Sequence, residues 1–260
     1  MRLGMVTYNM GKDMDLPTLI KFCEDTGLGG VELRTTHAHG VEVELSAAER
    51  AGVKSRFADS PVEIAGLGSA FEYHSPDPAV VKENIEGSIT YARLAADVGA
   101  SGIKVRPNGL PEEVPVEKTC EQIGKAMRQV AQFAGDIGVE VRLEVHGKNS
   151  SDPKIIRKIM DYADHPMATV CWNSNGTDMD ENQSIEASFN LLKDKITHCH
   201  ITEIGVYQYP WQDLFNRLKA MDYQGWCLAE IQYNEQPERF MKFYRTLFDL
   251  YTGNYSWPHE

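Results

Sequence analysis

The sequence predicts a single (β/α)8 barrel, and three observations carry that prediction. Eight apolar, β-rich runs alternate with eight helical patterns at intervals of roughly 30 residues, the length of a βαβ unit. The 260 residues match the usual size of one such barrel. An Asp-x-Gly echo recurs where a helix ends and a strand opens: Asp25-Thr-Gly27, Asp97-Val-Gly99 and Asp136-Ile-Gly138. Glycine there suits the left-handed residue that stops a helix.

Strands are expected near Leu3–Tyr8, Gly30–Arg34, Val62–Leu67, Gly102–Arg106, Val139–Val145, Ala168–Trp172, Ile196–Ile201 and Trp226–Ile231. The helical patterns between them run over Leu16–Thr26, Ala47–Phe57, Ala79–Val98, Val116–Ile137, Pro153–Ala163, Ser184–Leu192, Trp211–Met221 and Glu238–Tyr251. Ser46-Ala-Ala-Glu49 reads as a capping box opening the second helix. An open doubly wound sheet is the alternative. It would show a Gly-rich phosphate loop after the first strand, and Thr7-Tyr-Asn-Met-Gly11 is not one. No linker or low-complexity stretch interrupts the pattern, so residues 1–260 read as one domain. The aromatic tail Gly253–Glu260 is expected to pack on the barrel or on a neighbouring subunit.

Composition narrows the function. A net charge of −12 repels phosphate backbones and disfavours a nucleic-acid partner. No apolar run approaches the length that spans a bilayer, so no membrane partner is expected. The five cysteines are scattered without CxxC spacing, which argues against a disulfide framework and for a reducing, cytoplasmic setting. The first strand begins at Leu3, so no secretory signal is expected before it.

Strand side chains alternate between faces. In Val141–His146 the apolar residues Val141, Leu143 and Val145 share one face and belong under the helices. Arg142, Glu144 and His146 then point into the barrel. The same alternation sends His198, His200 and Thr202 inward, and Glu230 with Gln232. It also sends inward Glu32 with Arg34, and Lys104 with Arg106. A barrel interior normally holds branched apolar side chains, and an unpaired buried ion costs several kcal/mol. These groups must pair, bind a metal or face a wet pocket. Ionisable groups at the C-terminal ends of barrel strands read as catalytic. Two carboxylates, one or two imidazoles and an amide oxygen make a mixed O/N donor set. That set favours Mn2+ or Mg2+, with Co2+ and Zn2+ as alternatives, over a thiolate site.

At these strands the chain resembles the xylose isomerase-like TIM-barrel superfamily of sugar isomerases and epimerases, which includes endonuclease IV-like proteins. The matching stretches are Gly29-Gly-Val-Glu-Leu-Arg34, Leu143-Glu-Val-His146, Val170-Cys-Trp-Asn-Ser-Asn175, His198-Cys-His-Ile-Thr-Glu203 and Leu228-Ala-Glu230. The resemblance implies metal ligands at Glu144, Asn173, His200 and Glu230. Asn173 stands where the family carries Asp, so it brings no charge, and His198 or water is the alternative fourth ligand. The resemblance further implies that Glu144 and Glu230 move a carbon-bound proton beside a metal-polarised carbonyl. His146 is expected in acid–base work or substrate contact. Arg34, His37, His39, Arg106 and His198 are expected around the substrate, and Glu72 and His74 near the mouth. The function implied is isomerisation or epimerisation of a small carbohydrate. The rival is metal-assisted β-elimination on a 3-keto-glycoside. Cleavage of abasic DNA and non-catalytic sugar binding are the weaker alternatives. Barrels of this kind pair, so a homodimer or higher homo-oligomer is expected.

Overall fold

The computed structural model describes residues 1–205 and 208–256. Eight parallel strands close into one barrel in the order β1-β2-β3-β4-β5-β6-β7-β8. The strands are β1 (Arg2–Val6), β2 (Gly30–Arg34), β3 (Glu63–Glu72), β4 (Gly102–Arg106), β5 (Glu140–Glu144), β6 (Ala168–Asn173), β7 (Ile196–Ile201) and β8 (Trp226–Ala229). The helices are α1 (Leu16–Thr26), α2 (Ala47–Ala58), α3 (Pro78–Val98), α4 (Val116–Asp136), α5 (Pro153–Ala163), α6 (Glu186–Leu192), α7 (Trp211–Ala220) and α8 (Pro237–Thr252). No helix among the described residues is long and apolar enough to cross a membrane.

Local chemistry sets the boundaries. Gly27, Gly99 and Gly138 adopt φ of 73°, 85° and 72°, the left-handed values the echo requires. The Ser46 side chain accepts from the Glu49 backbone N–H, and Glu49 accepts in return from the Ser46 backbone. The sixth helix begins at Glu186 rather than Ser184, because the Ser184 hydroxyl caps the Glu186 N–H from outside. β3 runs five residues beyond the apolar stretch that ends at Leu67, to Glu72. Gly68 and Ser69 hide this continuation from a hydrophobic pattern, and the register with β4 shifts between Gly68 and Glu72. β8 stops at Ala229, so Glu230 stands one residue past the strand, its N–H still held by the Ile201 carbonyl at 2.9 Å.

The two faces separate as period-two alternation requires. Val141, Leu143, Val145, Cys199 and Ile201 are fully buried against the helical layer. Each such aliphatic side chain contributes about 1.5–3 kcal/mol of burial free energy. All five cysteines are buried and free. Inside the barrel, Arg142 spans the lower layer and donates to Glu140 Oε2, the Ala65 carbonyl and Ser101 Oγ at 2.8–2.9 Å. Gly102 makes this possible, because a Cβ there would lie 2.6 Å from the guanidinium carbon. Of the expected tail, only residues 253–256 lie within the described chain; Gly253 caps α8 at φ 73°.

One buried acid is not explained by the barrel interior. Asp178 ends a short 3-10 turn after β6 and accepts from the Asn175 N–H and the Tyr209 hydroxyl, both at 2.9 Å. Its other oxygen has no hydrogen-bond partner among the described residues. Burial pushes its carboxyl up to about 7, against the hydrogen bonds that lower it. A carboxyl raised on folding is most stabilising below its unfolded value near 4, and that contribution is lost as pH climbs to 7. Asp178→Asn keeps an acceptor for both donors and removes the charge. It is expected to raise stability at pH 8 by about 1–3 kcal/mol and to change little at pH 4. Denaturant melts at the two pH values check this; equal effects at both would refute it.

Candidate metal centre and active site

The inward residues of β2, β4, β5 and β7 converge on His200. Its imidazole is fully buried, with Nδ1 3.2 Å from Glu144 Oε1 and 3.6 Å from Glu230 Oε2. On the other side, Nε2 lies 3.2 Å from Glu32 Oε2. Glu144 is also paired, through its second oxygen, to Lys104 Nζ at 2.8 Å, in a pair almost sealed from solvent. The counter-charge of Glu144 is therefore an ammonium and not one of the interior guanidiniums. Arg142 lies a layer lower on Glu140, and Arg106 pairs with Glu72 at 2.9 Å.

Asn173 is buried beside the cluster, its amide nitrogen 3.4 Å from Glu144 Oε1. His198 is wholly buried, with Glu32 Oε2 its nearest acid at 3.6 Å. It does not line the cavity, which corrects the expectation of substrate contact; it stands one layer deeper because it is two residues earlier on β7. Burial and the Arg142 charge push its imidazole down to about 3, so it is neutral.

Above the cluster opens a polar cavity of about 400 Å3, bordered by Tyr8, Arg34, Lys104, Arg106, Glu144, His146, Asn173, Ser174, Asn175, Thr202, Glu230 and Gln232. A larger open hollow of about 660 Å3 lies on α8 and the preceding loop, around Tyr233 and Phe243, but no imidazole borders it. The ionisable groups gather at the barrel mouth. There His146 is oriented through a chain of side chains. Asn108 donates to Glu72 Oε1 at 2.6 Å, which turns its carbonyl oxygen toward His146 Nδ1 at 2.9 Å. Nδ1 therefore carries the proton and Nε2 presents a lone pair. Burial lowers the basicity of this imidazole and outweighs the Glu144 charge.

The histidines of Thr36–Gly40 behave otherwise than expected. His39 is buried, with Nε2 on the Arg34 carbonyl at 2.7 Å and Nδ1 accepting from the Val41 N–H at 3.0 Å, so both nitrogens are spent on the backbone. His37 is bonded to Thr7 Oγ1 at 2.9 Å and is not among the residues bordering the cavity. Glu72 and His74 lie 3.6 Å apart and neither is among the residues bordering the cavity; Glu72 holds Arg106 and Asn108. The sequence pattern placed Glu32 and Lys104 in the interior without a role. It gave Tyr8, Ser174 and Asn175 none either, although Gln232 shares the face of Glu230.

The cluster fits a divalent cation on two counts. Donors around one ion held at about 2.0–2.2 Å stand roughly 2.9–3.6 Å apart in tetrahedral or octahedral geometry. The separations from His200 Nδ1 to Glu144 and Glu230 fall in that range, and the three donor atoms lie within 4.8 Å of one another. Charge gives the second count. Glu32, Glu144 and Glu230 carry three negative charges and Lys104 one positive, which leaves two negative charges around a neutral imidazole. Glu32 on Nε2 would fix the ring with Nδ1 toward the ion, a carboxylate–histidine–metal arrangement.

Without an ion, the imidazole itself supplies part of that charge. Burial opposes protonation of His200, but Cys171 and the Glu32 and Glu144 carboxylates outweigh it and raise its basicity well above the usual value. Its ion pairs stabilise the fold below pH 6.5 and are lost as pH rises through the raised value. An ion on Nδ1 must displace that proton. Affinity for Mn2+ is therefore expected to rise with pH, by up to about tenfold per unit, until His200 is deprotonated. Calorimetric titration of Mn2+ in two buffers of different ionisation enthalpy reads the released proton directly. Identical heats in both buffers would contradict the protonated imidazole.

A closed parallel barrel with carboxylates and an imidazole gathered at the C-terminal strand ends defines a class of TIM barrel built around a mouth-facing site. Within that class the chain belongs to the Xylose isomerase-like TIM barrel family, whose model matches residues 20–246. No curated protein sequence matches it. Among solved structures, it is similar to 3-keto-D-glucoside 4-epimerase YcjR from E. coli, at 15% identity, TM-score 0.78, over 95% of this chain and 99% of that one. A D-psicose 3-epimerase from Clostridium cellulolyticum H10, crystallised with D-tagatose, is similar at 14% identity, TM-score 0.82, over 97% and 99%. An IOLI protein with a bound zinc atom is similar at 14% identity, TM-score 0.80, over 98% and 99%. At these identities the likeness is one of fold.

Proposed function

We propose that the protein is a divalent-metal-dependent isomerase or epimerase acting on a sugar or related polyol. The observation that carries the reading is the placement of Glu144 and Glu230 on one imidazole nitrogen at the base of a polar cavity. Membership of the family and the fold shared with sugar epimerases support it. A divalent ion on Glu144, His200 and Glu230, with Asn173 beside them, would polarise a substrate carbonyl and its neighbouring hydroxyl. The mixed O/N donors suit Mn2+ or Mg2+ first, and Co2+ or Zn2+ second.

The protein's own residues then move the proton. Burial works against ionisation of Glu144, but Lys104 and His200 overcome it and hold the carboxylate charged. Its position is fixed by Lys104, His200 and Asn173. Glu230 is partly exposed to the cavity, and His200 is its sole ion-pair neighbour among the described residues. One carboxylate removes the proton on the carbon beside the carbonyl, and the other returns it to the opposite face or to the adjacent carbon. Incubation of the Mn2+-loaded protein with a panel of ketoses in D2O tests this, with deuterium at the carbon beside the carbonyl as the expected result. No exchange with any sugar and no metal in the purified protein would defeat the reading.

His146 favours a second reading. Epimerisation needs two proton-transfer groups, whereas elimination from a 3-keto-glycoside also needs a group to protonate the departing oxygen. His146 borders the cavity with the lone pair of Nε2 free, so it is a third group that would take up the proton removed beside the carbonyl and pass it to the departing oxygen. Release of the aglycone from a 3-keto-glycoside, rather than an isomer that retains it, would select this alternative.

A further inference from the structure

Arg34 is the cation that the cavity leaves uncommitted. It ends β2 and borders the cavity. The neighbouring cations are spoken for: Lys104 by Glu144 and Arg106 by Glu72. Among the described residues no carboxylate lies within ion-pair distance of the Arg34 guanidinium, and no side-chain hydrogen bond holds it. It rests instead over the Tyr8 ring, 5.2 Å from its centre.

Its seat is nevertheless built. The Arg34 N–H donates to Thr7 Oγ1 at 3.0 Å, and Thr7 is held in turn by His37. The Arg34 carbonyl faces His39 Nε2 at 2.7 Å. On β3, Gly68 leaves room for the side chain, since a Cβ there would lie 2.9 Å from Arg34 Cγ. Two histidines, a threonine and a glycine thus fix the backbone and stem of one arginine whose charged end has, among the described residues, an aromatic face and no hydrogen-bonded or ion-paired partner. The two negative charges left on the His200 cluster do not explain it, because they suit an ion within the cluster and Arg34 pairs with none of those acids. A guanidinium prepared in this way matches a planar or tetrahedral oxyanion through paired N–H donors.

We infer that the substrate carries an anionic group, a carboxylate or a phosphate ester, which Arg34 binds while the rest of the molecule reaches the carboxylate–imidazole cluster. This rests on the carbohydrate reading above and narrows it from neutral sugars to sugar acids or sugar phosphates.

Binding tests it without turnover. The Mn2+-loaded protein is titrated calorimetrically with D-glucose, D-glucuronate and D-glucose 6-phosphate as probes. At least one anionic probe is expected to bind about tenfold or more tighter than glucose, and which one does separates carboxylate from phosphate. Arg34→Gln is expected to remove that advantage and leave glucose unchanged, and Arg34→Lys to retain part of it. Glucose binding as tightly as both anions to the unaltered protein would overturn the inference, as would failure of both anions to bind at millimolar concentration. Equal weakening of all three probes by Arg34→Gln would also overturn it, by showing that the arginine reads a hydroxyl. Anion-selective binding with no proton exchange into any sugar would instead count against the isomerase reading alone.

Discussion

Glu230→Gln is expected to lower kcat by about 10^3-fold while the protein melts within a few degrees of the unaltered chain. The rate effect follows from removing a group that must take or give a proton, a contribution on the order of 10^2–10^4. The small structural effect follows from its setting. Glu230 is partly open to the cavity, its backbone is held independently by Ile201, and the amide leaves no new buried charge. Glu144→Gln should behave differently, because it strands the buried Lys104 ammonium and loses stability as well as rate. Deuterium exchange in single turnovers, followed beside thermal melts, separates the two. If Glu230→Gln exchanged the proton at the normal rate, Glu230 would not be one of the bases.

Lys104→Met is expected to carry the largest stability cost of any single change at the site. The Lys104–Glu144 pair is 3% and 2% exposed, and the ammonium also faces Glu32. Removing one partner of such a pair typically costs about 3–5 kcal/mol, a fall in Tm of roughly 10 °C for a chain of this size. The penalty should grow with pH. Near pH 5 the stranded Glu144 can take up a proton, whereas at pH 8 burying it as a carboxylate or keeping it protonated are both costly. Added Mn2+ should recover more of the loss in the variant than it adds to the unaltered protein, because a divalent charge replaces the missing ammonium. A melt unchanged within about 2 °C would mean that Glu144 does not depend on Lys104, and the charge account of the site would fail.

Much of the molecule is legible from residue order because the barrel is built from local, repeated rules. Period-two alternation separates Val141, Leu143 and Val145 from Arg142 and Glu144 with no knowledge of the fold, and the glycines after α1, α3 and α4 mark helix ends by their left-handed φ. Where a strand lacks an apolar signal, this reading fails: β3 runs on through Gly68 and Ser69 to Glu72, and the residues it carries there position Asn108 and His146. The histidines at 37 and 39 mislead for a related reason. Residue type marks them as candidate ligands, but backbone groups take both His39 nitrogens and the Thr7 hydroxyl takes His37 Nδ1, and loop conformation is set by contacts from distant strands.

The sequence alone determined which residues face the barrel interior, and therefore that Glu32, Lys104, Glu144, His200 and Glu230 share one crowded polar core. Alternation is a property of each strand by itself. Only the tertiary structure decided which of them meet. Depth in the barrel depends on the register between strands, and register puts Lys104, not an arginine, on Glu144. It also sets His200 among three carboxylates and leaves Arg34 at the mouth without one among the described residues. Pairings of this kind are sums over strands far apart in the chain, fixed only when the barrel closes and each buried charge must find its counter-ion.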